Sequence, residues 1–290
     1  MELKIKNNLN YNKNTSIYKD CKDHSVSKED FKLLRNEEYD LLITSPIPDN
    51  LSSYYESEEY ISHTDSSEGI INKIYQSVRK YTISKKIKLI NNYSNKNKSV
   101  LDIGCGTGDF IKECKNKNWE VVGIEPNSKA RDIGRTKNLV ILNSIDELRE
   151  QKFDVITMWH VLEHVTDLDE TINKIKNMLT ENGTLIIAVP NYKSFDATYY
   201  KSFWAAYDVP RHVWHFSKNS ISRIFDKIKM EVINIKPMLF DSFYVSMLSE
   251  KYKRGRNNFL NAFLVGLWSN IKGVSTKEYS SHIYILKNKK

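Results

Sequence analysis

From residue 99 to residue 189 short apolar runs alternate with helical stretches, and this alternation restricts the fold more than any other feature of the chain. Runs at 99–103, 119–125, 139–142, 154–159 and 184–189 have strand length and are rich in Val, Ile and Leu. Between them, 109–117, 127–136 and 167–179 read as helices, the last stopped near Asn182-Gly183. Strands that are apolar on both faces and separated by helices form βαβ units, and these build a parallel sheet covered by helices. Two later runs, 232–235 and 282–286, read as further strands, and Ile70, Ile74, Tyr75 and Val78 have the spacing of an amphipathic helix ahead of the first strand. The expected fold class is α/β.

The first strand runs into Asp102-Ile103-Gly104-Cys105-Gly106-Thr107-Gly108, which opens the following helix. Glycines at such a turn let the backbone approach a ligand, and the helix start adds unpaired N–H groups. Glu125 ends the next strand, 23 residues after Asp102. A carboxylate there can accept both hydroxyls of a ribose, so the expected cofactor contains one. The spacing is G-x-G-x-G, with Asp109 where the third glycine of a dinucleotide fingerprint would stand. An acid at that place repels a pyrophosphate. Together with Asp102 it suits a ligand carrying an amino group and a sulfonium, and it counts against a nicotinamide-dependent oxidoreductase.

Apolar residues make up 40% of the chain, enough for a packed core. The net charge of +8 comes from lysines spread along the sequence without a tight arginine cluster. A diffuse excess is not a focused nucleic-acid footprint, and nucleic acid is not the expected partner. The longest apolar stretch, near 259–268, is interrupted by Asn261 and has about half the length of a membrane span. Three cysteines (Cys21, Cys105, Cys114) form no C-x-x-C pair, which points to a reducing compartment and supports no structural zinc. The first residues hold no signal-peptide core, so a cytoplasmic protein is expected.

Residues 1–65 are polar and form an N-terminal arm or small subdomain. Within it 31–34 and 40–43 have strand character, 45–50 is a proline-containing loop, and Tyr54, Tyr55, Tyr60 and Ile61 are anchors for docking. Residues 66–290 form the main domain, with substrate-side insertions at about 191–216 and 240–275.

The motifs at Asp102 to Gly108, Glu125-Pro126, 153–156, 161–165 and 189–191 resemble, in order, those of class I S-adenosylmethionine-dependent methyltransferases. They are most similar to the branch containing ubiquinone-biosynthesis O-methyltransferases and their bacterial relatives, over roughly residues 70–195. The resemblance implies a Rossmann-like seven-stranded sheet, mostly parallel, with an antiparallel last strand. It implies S-adenosylmethionine as cofactor. Asp102, Gly104, Cys105, Gly106, Thr107 and Gly108 would line its methionine and ribose part. Glu125, followed by Pro126, would hold the ribose hydroxyls, and Ile145 and Asp146 would flank the adenine. Trp159 and His160 would face cofactor and substrate. Some bacterial relatives carry N-terminal cysteine pairs; here only Cys21 stands in that region, so a zinc ribbon is not expected.

His160, Glu163 and His164 form H-x-x-E-H, which alone matches an inverted zinc-peptidase motif. That chemistry needs both histidines on a helix, whereas His160 ends a strand. Some ubiquinone-type relatives hold a metal in this stretch, but His160 stands where they have Glu. No metal site is expected, and Glu163 and His164 read as helix-start hydrogen bonding. Transfer to a hydroxyl calls for a general base, and histidine titrates in the right range. His160, His212 and His215 are the candidates. Tyr207, Arg211 and Trp214 in the aromatic insertion are the expected substrate contacts, with Arg211 orienting an anion. The reading is methyl transfer to a small-molecule or glycan-precursor acceptor, at oxygen. A cofactor-binding scaffold without turnover and a nucleic-acid methyltransferase remain as alternatives.

Overall fold

The computed structural model describes residues 9–55, 70–94, 98–148 and 150–289. Its strands are β1 (Thr15–Lys22), β2 (Asp30–Asn36), β3 (Leu41–Ser45), β4 (Ser99–Ile103), β5 (Glu120–Ile124), β6 (Ile141–Leu142), β7 (Phe153–Trp159), β8 (Leu179–Pro190), β9 (Trp214–His215), β10 (Met230–Pro237) and β11 (Ser281–Asn288). The longer helices are α1 (Ile70–Asn91), α2 (Asp109–Lys115), α3 (Ser128–Thr136), α4 (Leu168–Asn177), α5 (Phe195–Tyr200), α6 (Lys218–Lys227), α7 (Asp241–Arg254) and α8 (Phe259–Thr276).

Seven strands form the main sheet in the order β10-β11-β8-β7-β4-β5-β6. β4 pairs in parallel with β5 and β7, β7 with β8, and β5 with β6. β11 is antiparallel to both neighbours, as expected of the last strand. All of β4 is buried, and Val100, Leu101, Val155, Ile156, Ile186 and Ile187 are wholly enclosed. Such strands are covered on both faces, which is why they read as continuous apolar runs and not as alternation. β8 begins at Leu179, earlier than the sequence suggests, and the Asn182-Gly183 pair lies within the strand. A side chain at Gly183 would put Cβ 2.9 Å from the Thr180 carbonyl oxygen, so this bent part of the strand requires glycine.

The N-terminal region is more structured than an arm. β1, β2 and β3 form an antiparallel meander, and β9 from the aromatic insertion completes a four-stranded sheet through Leu42↔His215 and Ile43↔Trp214. Leu41, Ile43 and Leu51 share one apolar cluster with Ile103, Met158 and Trp214, so the two sheets have a common core. A buried carboxylate pins them. Asp40 accepts from Tyr192 Oη at 2.8 Å and Ser217 Oγ at 2.8 Å, and pairs with Lys193. Tyr55 Oη lies 3.0 Å from His164 Nδ1, and Tyr54 Oη donates to Glu29 at 2.6 Å. The other expected anchors, Tyr60 and Ile61, fall outside the described residues. Beyond β10, α7 and α8 form a helical hairpin that returns the chain to β11. No helix among the described residues is long and apolar enough to cross a membrane.

Candidate functional site

The carboxyl ends of β4, β5 and β7 meet where the glycine turn begins. Gly104, Gly106 and Gly108 all have positive φ, and Gly104 and Cys105 donate their N–H groups to the Ile124 carbonyl. Two of these glycines are needed for different reasons. At Gly104 a Cβ would strike Val161 at 2.4 Å, whereas at Gly106 it would meet nothing within 4 Å. Gly106 thus faces open space, where a ligand can reach the backbone. Its N–H donates to Glu125 Oε2 at 2.9 Å, and Asn127 N–H donates to Oε1 at 2.9 Å. The carboxylate is fixed at the open side of the turn, and each oxygen keeps a lone pair for a further donor.

Asp102 sits at the base of this space. Its side chain is buried and accepts from Thr157 Oγ1 at 2.6 Å. Burial raises its pKa to about 7, although the Thr157 hydrogen bond and nearby Lys86 pull the other way. Lys86 of α1 has its Nζ 4.2 Å from the Trp159 ring centroid, and burial lowers its pKa to about 8. The Trp159 indole N–H is buried and has no hydrogen-bond partner. An orphaned donor beside a cradle without side chains fits a bound polar ligand. Cys105 packs its Sγ under Gly123, and burial raises its thiol pKa strongly, so it is wall and not nucleophile.

Asp109 corrects part of the charge argument. Its carboxylate is paired with Lys137 at 2.7 Å and with Arg79, and it also accepts from Thr107 Oγ1. These cations hold its pKa below the usual carboxylate range despite burial. A charge neutralised in this way does little to repel a pyrophosphate, so discrimination falls to Asp102 and Glu125. Ile145 and Asp146 lie in a short 3-10 turn after β6. Asp146 is exposed and paired with Lys174 at 2.7 Å, while Pro126 gives its carbonyl to Arg131.

The three candidate histidines are placed differently. His160 follows β7 with φ of 58°, a strained value for a residue with a side chain. Its Nδ1 is 3.2 Å from Glu163 Oε1, and its Nε2 is 3.0 Å from Asp241 Oδ2 at the start of α7. Burial pulls its pKa down, but Asp241 and Glu163 overcome this and raise it to about 10. An imidazolium donating to two carboxylates holds its proton and is a poor base. His215 is placed differently. It is enclosed in the second sheet, with Nε2 3.0 Å from Thr44 Oγ1, and burial next to His212 drives its pKa well down. His212 is buried, with Nδ1 2.9 Å from the Ala206 carbonyl oxygen. A carbonyl only accepts, so Nδ1 carries a hydrogen, and in the neutral ring Nε2 carries the lone pair.

The insertion residues also depart from expectation. Tyr207 and Trp214 are buried in the core: Tyr207 packs edge-on to Trp204, and Trp214 Nε1 donates to the Val165 carbonyl at 2.7 Å. Arg211 is engaged by Asp208 at 2.5 Å and Ser25 Oγ at 3.3 Å, so its guanidinium is not held ready for a substrate anion. The sequence reading also missed Lys86, Asp241 and a cluster of potential metal ligands. Glu163, His164 and His212 each place a ligand atom within 4.8 Å of the others. Glu163 is wholly buried, and its Oε2 has no partner. His164 is kept neutral by burial and by His212, which lower its pKa to about 4. The H-x-x-E-H spacing hinted at two members of the cluster. His212, distant in sequence, carried no local signal.

A family model described as a methyltransferase domain matches residues 75–235, more than half of the chain. The ubiquinone biosynthesis O-methyltransferase of Pelagibacter ubique is 34% identical over 104 residues, covering 33% of this chain and 43% of that protein. The protein of the same name from Rickettsia typhi is 28% identical over 203 residues, covering 63% and 81%. The chain spans 42% to 51% of the length of the first curated relatives it matches. Among solved structures, the magnesium protoporphyrin IX methyltransferase of Synechocystis with bound S-adenosylhomocysteine has a TM-score of 0.54 at 13% identity, covering 82% of this chain and 97% of that one. A methyltransferase from Thermotoga maritima, described as a possible histamine N-methyltransferase, has a TM-score of 0.54 at 16% identity, covering 83% and 100%. At these identities the structures show a shared fold.

Proposed function

Since the chain belongs to the methyltransferase-domain family, we propose that it transfers a methyl group from S-adenosylmethionine to a hydroxyl of a small-molecule or glycan-precursor acceptor. The observation that carries this reading is the Glu125 carboxylate, fixed by Gly106 and Asn127 at the open side of the glycine turn. Glu125 would take the ribose hydroxyls, the backbone at Gly104 to Gly108 the ribose and methionine part, and Ile145 and Asp146 the adenine edge. Asp102 and the unpartnered Trp159 N–H would face the amino-acid end. When bound, the cofactor supplies a methyl group already activated on a sulfonium. The protein's work is then to align the acceptor and exclude water. Curated relatives named as O-methyltransferases support an oxygen acceptor.

The acceptor proton would pass to His212 Nε2, with the Glu163 and Asp208 carboxylates stabilising the imidazolium formed. His160 acts beside them as a positioning residue, tying Glu163 to Asp241. The test is turnover with a panel of phenolic and sugar hydroxyl acceptors, read as S-adenosylhomocysteine released. His212→Ala and Glu163→Gln should each lower kcat by about a hundredfold, in the usual range for general-base loss, with cofactor affinity unchanged. Full turnover by both variants would remove the proton-accepting role.

A further inference from the structure

Helix α8 is packed inside out. Its small residues, Ala262, Gly266, Ser269 and Gly273, are buried, while Phe259, Leu260, Phe263, Leu264, Trp268 and Ile271 are exposed. Leu260 is 72% exposed and Trp268 49%. The small face is required by close packing, since a Cβ on Gly266 would come within 2.8 Å of Phe243 and one on Gly273 within 2.6 Å of Tyr279. The large face is therefore not a core that slipped outward. It is an apolar strip along a helix about 27 Å long. An exposed patch of this kind marks an interaction surface.

The charge around it identifies the occupant. Residues 251–277 contain Lys251, Lys253, Arg254, Arg256, Lys272 and Lys277 and no Asp or Glu. The flanking carboxylates are already paired: Glu250 is buried against Arg254, and Glu278 meets Lys218. The cations lie in the α7–α8 turn and at the far end of α8, so the apolar strip is bracketed by positive charge. A second copy of the chain would bring two such basic rims together with no carboxylate between them. Anionic phospholipid headgroups would neutralise the rims while the strip enters the acyl boundary. We propose that the outer face of α8, with the basic α7–α8 turn, docks this protein on an anionic phospholipid bilayer. The attachment lies in the interfacial plane and involves no span, and it does not depend on which acceptor is methylated. The same hairpin reaches the candidate site, since Asp241 at its start holds His160 and Phe240 meets Tyr81 edge-on.

The test is flotation of the full chain with vesicles of phosphatidylglycerol and phosphatidylcholine in equal parts, and with phosphatidylcholine alone. The protein should float with the anionic vesicles and be released by salt. Leu260→Glu together with Leu264→Glu should lower partitioning by about tenfold or more, the scale of losing two buried leucines. Lys253→Glu with Arg256→Glu should abolish the preference for anionic over neutral vesicles. Unchanged S-adenosylhomocysteine binding by the leucine variant would show that the fold and the cofactor site are intact, which keeps this test separate from the methyl-transfer reading. No flotation with anionic vesicles, or equal flotation of the leucine variant, overturns the proposal. So does a dimer in sedimentation that the leucine variant disperses, which would assign the face to a second copy.

Discussion

The two sheets use their polar groups in opposite ways. In the four-stranded sheet and its aromatic insertion several buried or half-buried polar groups are satisfied within the fold. Asp40 takes Tyr192, Ser217 and Lys193; Arg211 takes Asp208 and Ser25; His215 meets Thr44. At the carboxyl edge of the seven-stranded sheet, polar capacity is left over. Glu125 is held by two N–H groups yet keeps lone pairs, the Trp159 N–H is unpartnered, and Gly106 opens on empty space. Residue type alone therefore does not mark a site. A tyrosine, an arginine or a histidine in a suggestive segment is a site residue only when its hydrogen-bonding capacity is not already used by the fold.

Substitutions on either side can break that contrast. The largest effect is expected at Asp40→Ala, which strips the acceptor from Lys193, Tyr192 and Ser217 where the two sheets join. A loss of about 3–5 kcal/mol is expected, the cost of breaking a buried pair, with S-adenosylhomocysteine affinity unchanged in the folded fraction. Chemical denaturation and calorimetry would check both halves.

Glu125→Ala should do the reverse. It removes the two ribose hydrogen bonds to a charged acceptor, about 3 kcal/mol or roughly a hundredfold in affinity, and costs less stability than Asp40→Ala, because the Gly106 and Asn127 N–H groups it frees stand at the open side of the turn.

The His160 bridge joins the two regimes and should show in the pH dependence of stability. Its folded pKa is raised from 6.5 to about 10. The stabilisation is therefore complete below pH 6.5 and fades as pH rises toward 10. For a side chain 34% exposed, solvent screening leaves a contribution on the order of 1–2 kcal/mol. Asp241→Asn should flatten the unfolding profile across that window, and an unchanged profile would deny the ion pair.

The smallest effect is expected at Tyr207→Phe. It removes a hydroxyl contacting Lys19 at 3.4 Å, for about 0.5–1 kcal/mol of stability and no change in acceptor KM. A raised KM would return Tyr207 to the substrate wall and weaken the contrast.

The main sheet was legible in sequence because its strands are covered on both faces and its turn needs glycine, and both leave local marks. Glu125 was legible for the same reason, since its role follows from the end of a strand at fixed spacing. β1 was not: Ile17 and Tyr18 are exposed and only Cys21 is buried, so no alternation marks it. β9 was hidden because two residues paired to a strand far back in the chain carry no periodic signal. The candidate residues whose bonding capacity the fold itself uses, Tyr207, Arg211, Trp214 and His215, are those whose partners lie in the N-terminal region or elsewhere in the fold. The charge is less evenly spaced than the composition suggests. The whole chain looks evenly basic, but residues 251–277 hold six cations and no acid, a segment that becomes one surface only once α7 and α8 fold back on each other.

The unspent groups around Gly106 and Glu125 are proposed to form a site for an S-adenosyl ligand. Calorimetric titration of ligand-free protein with S-adenosylhomocysteine, alongside NADH, tests it most directly. Saturable binding of the first, weakened roughly a hundredfold in Glu125→Ala, and none of the second are expected. Well-folded protein that binds NADH, or that binds S-adenosylhomocysteine equally well without Glu125, would contradict it.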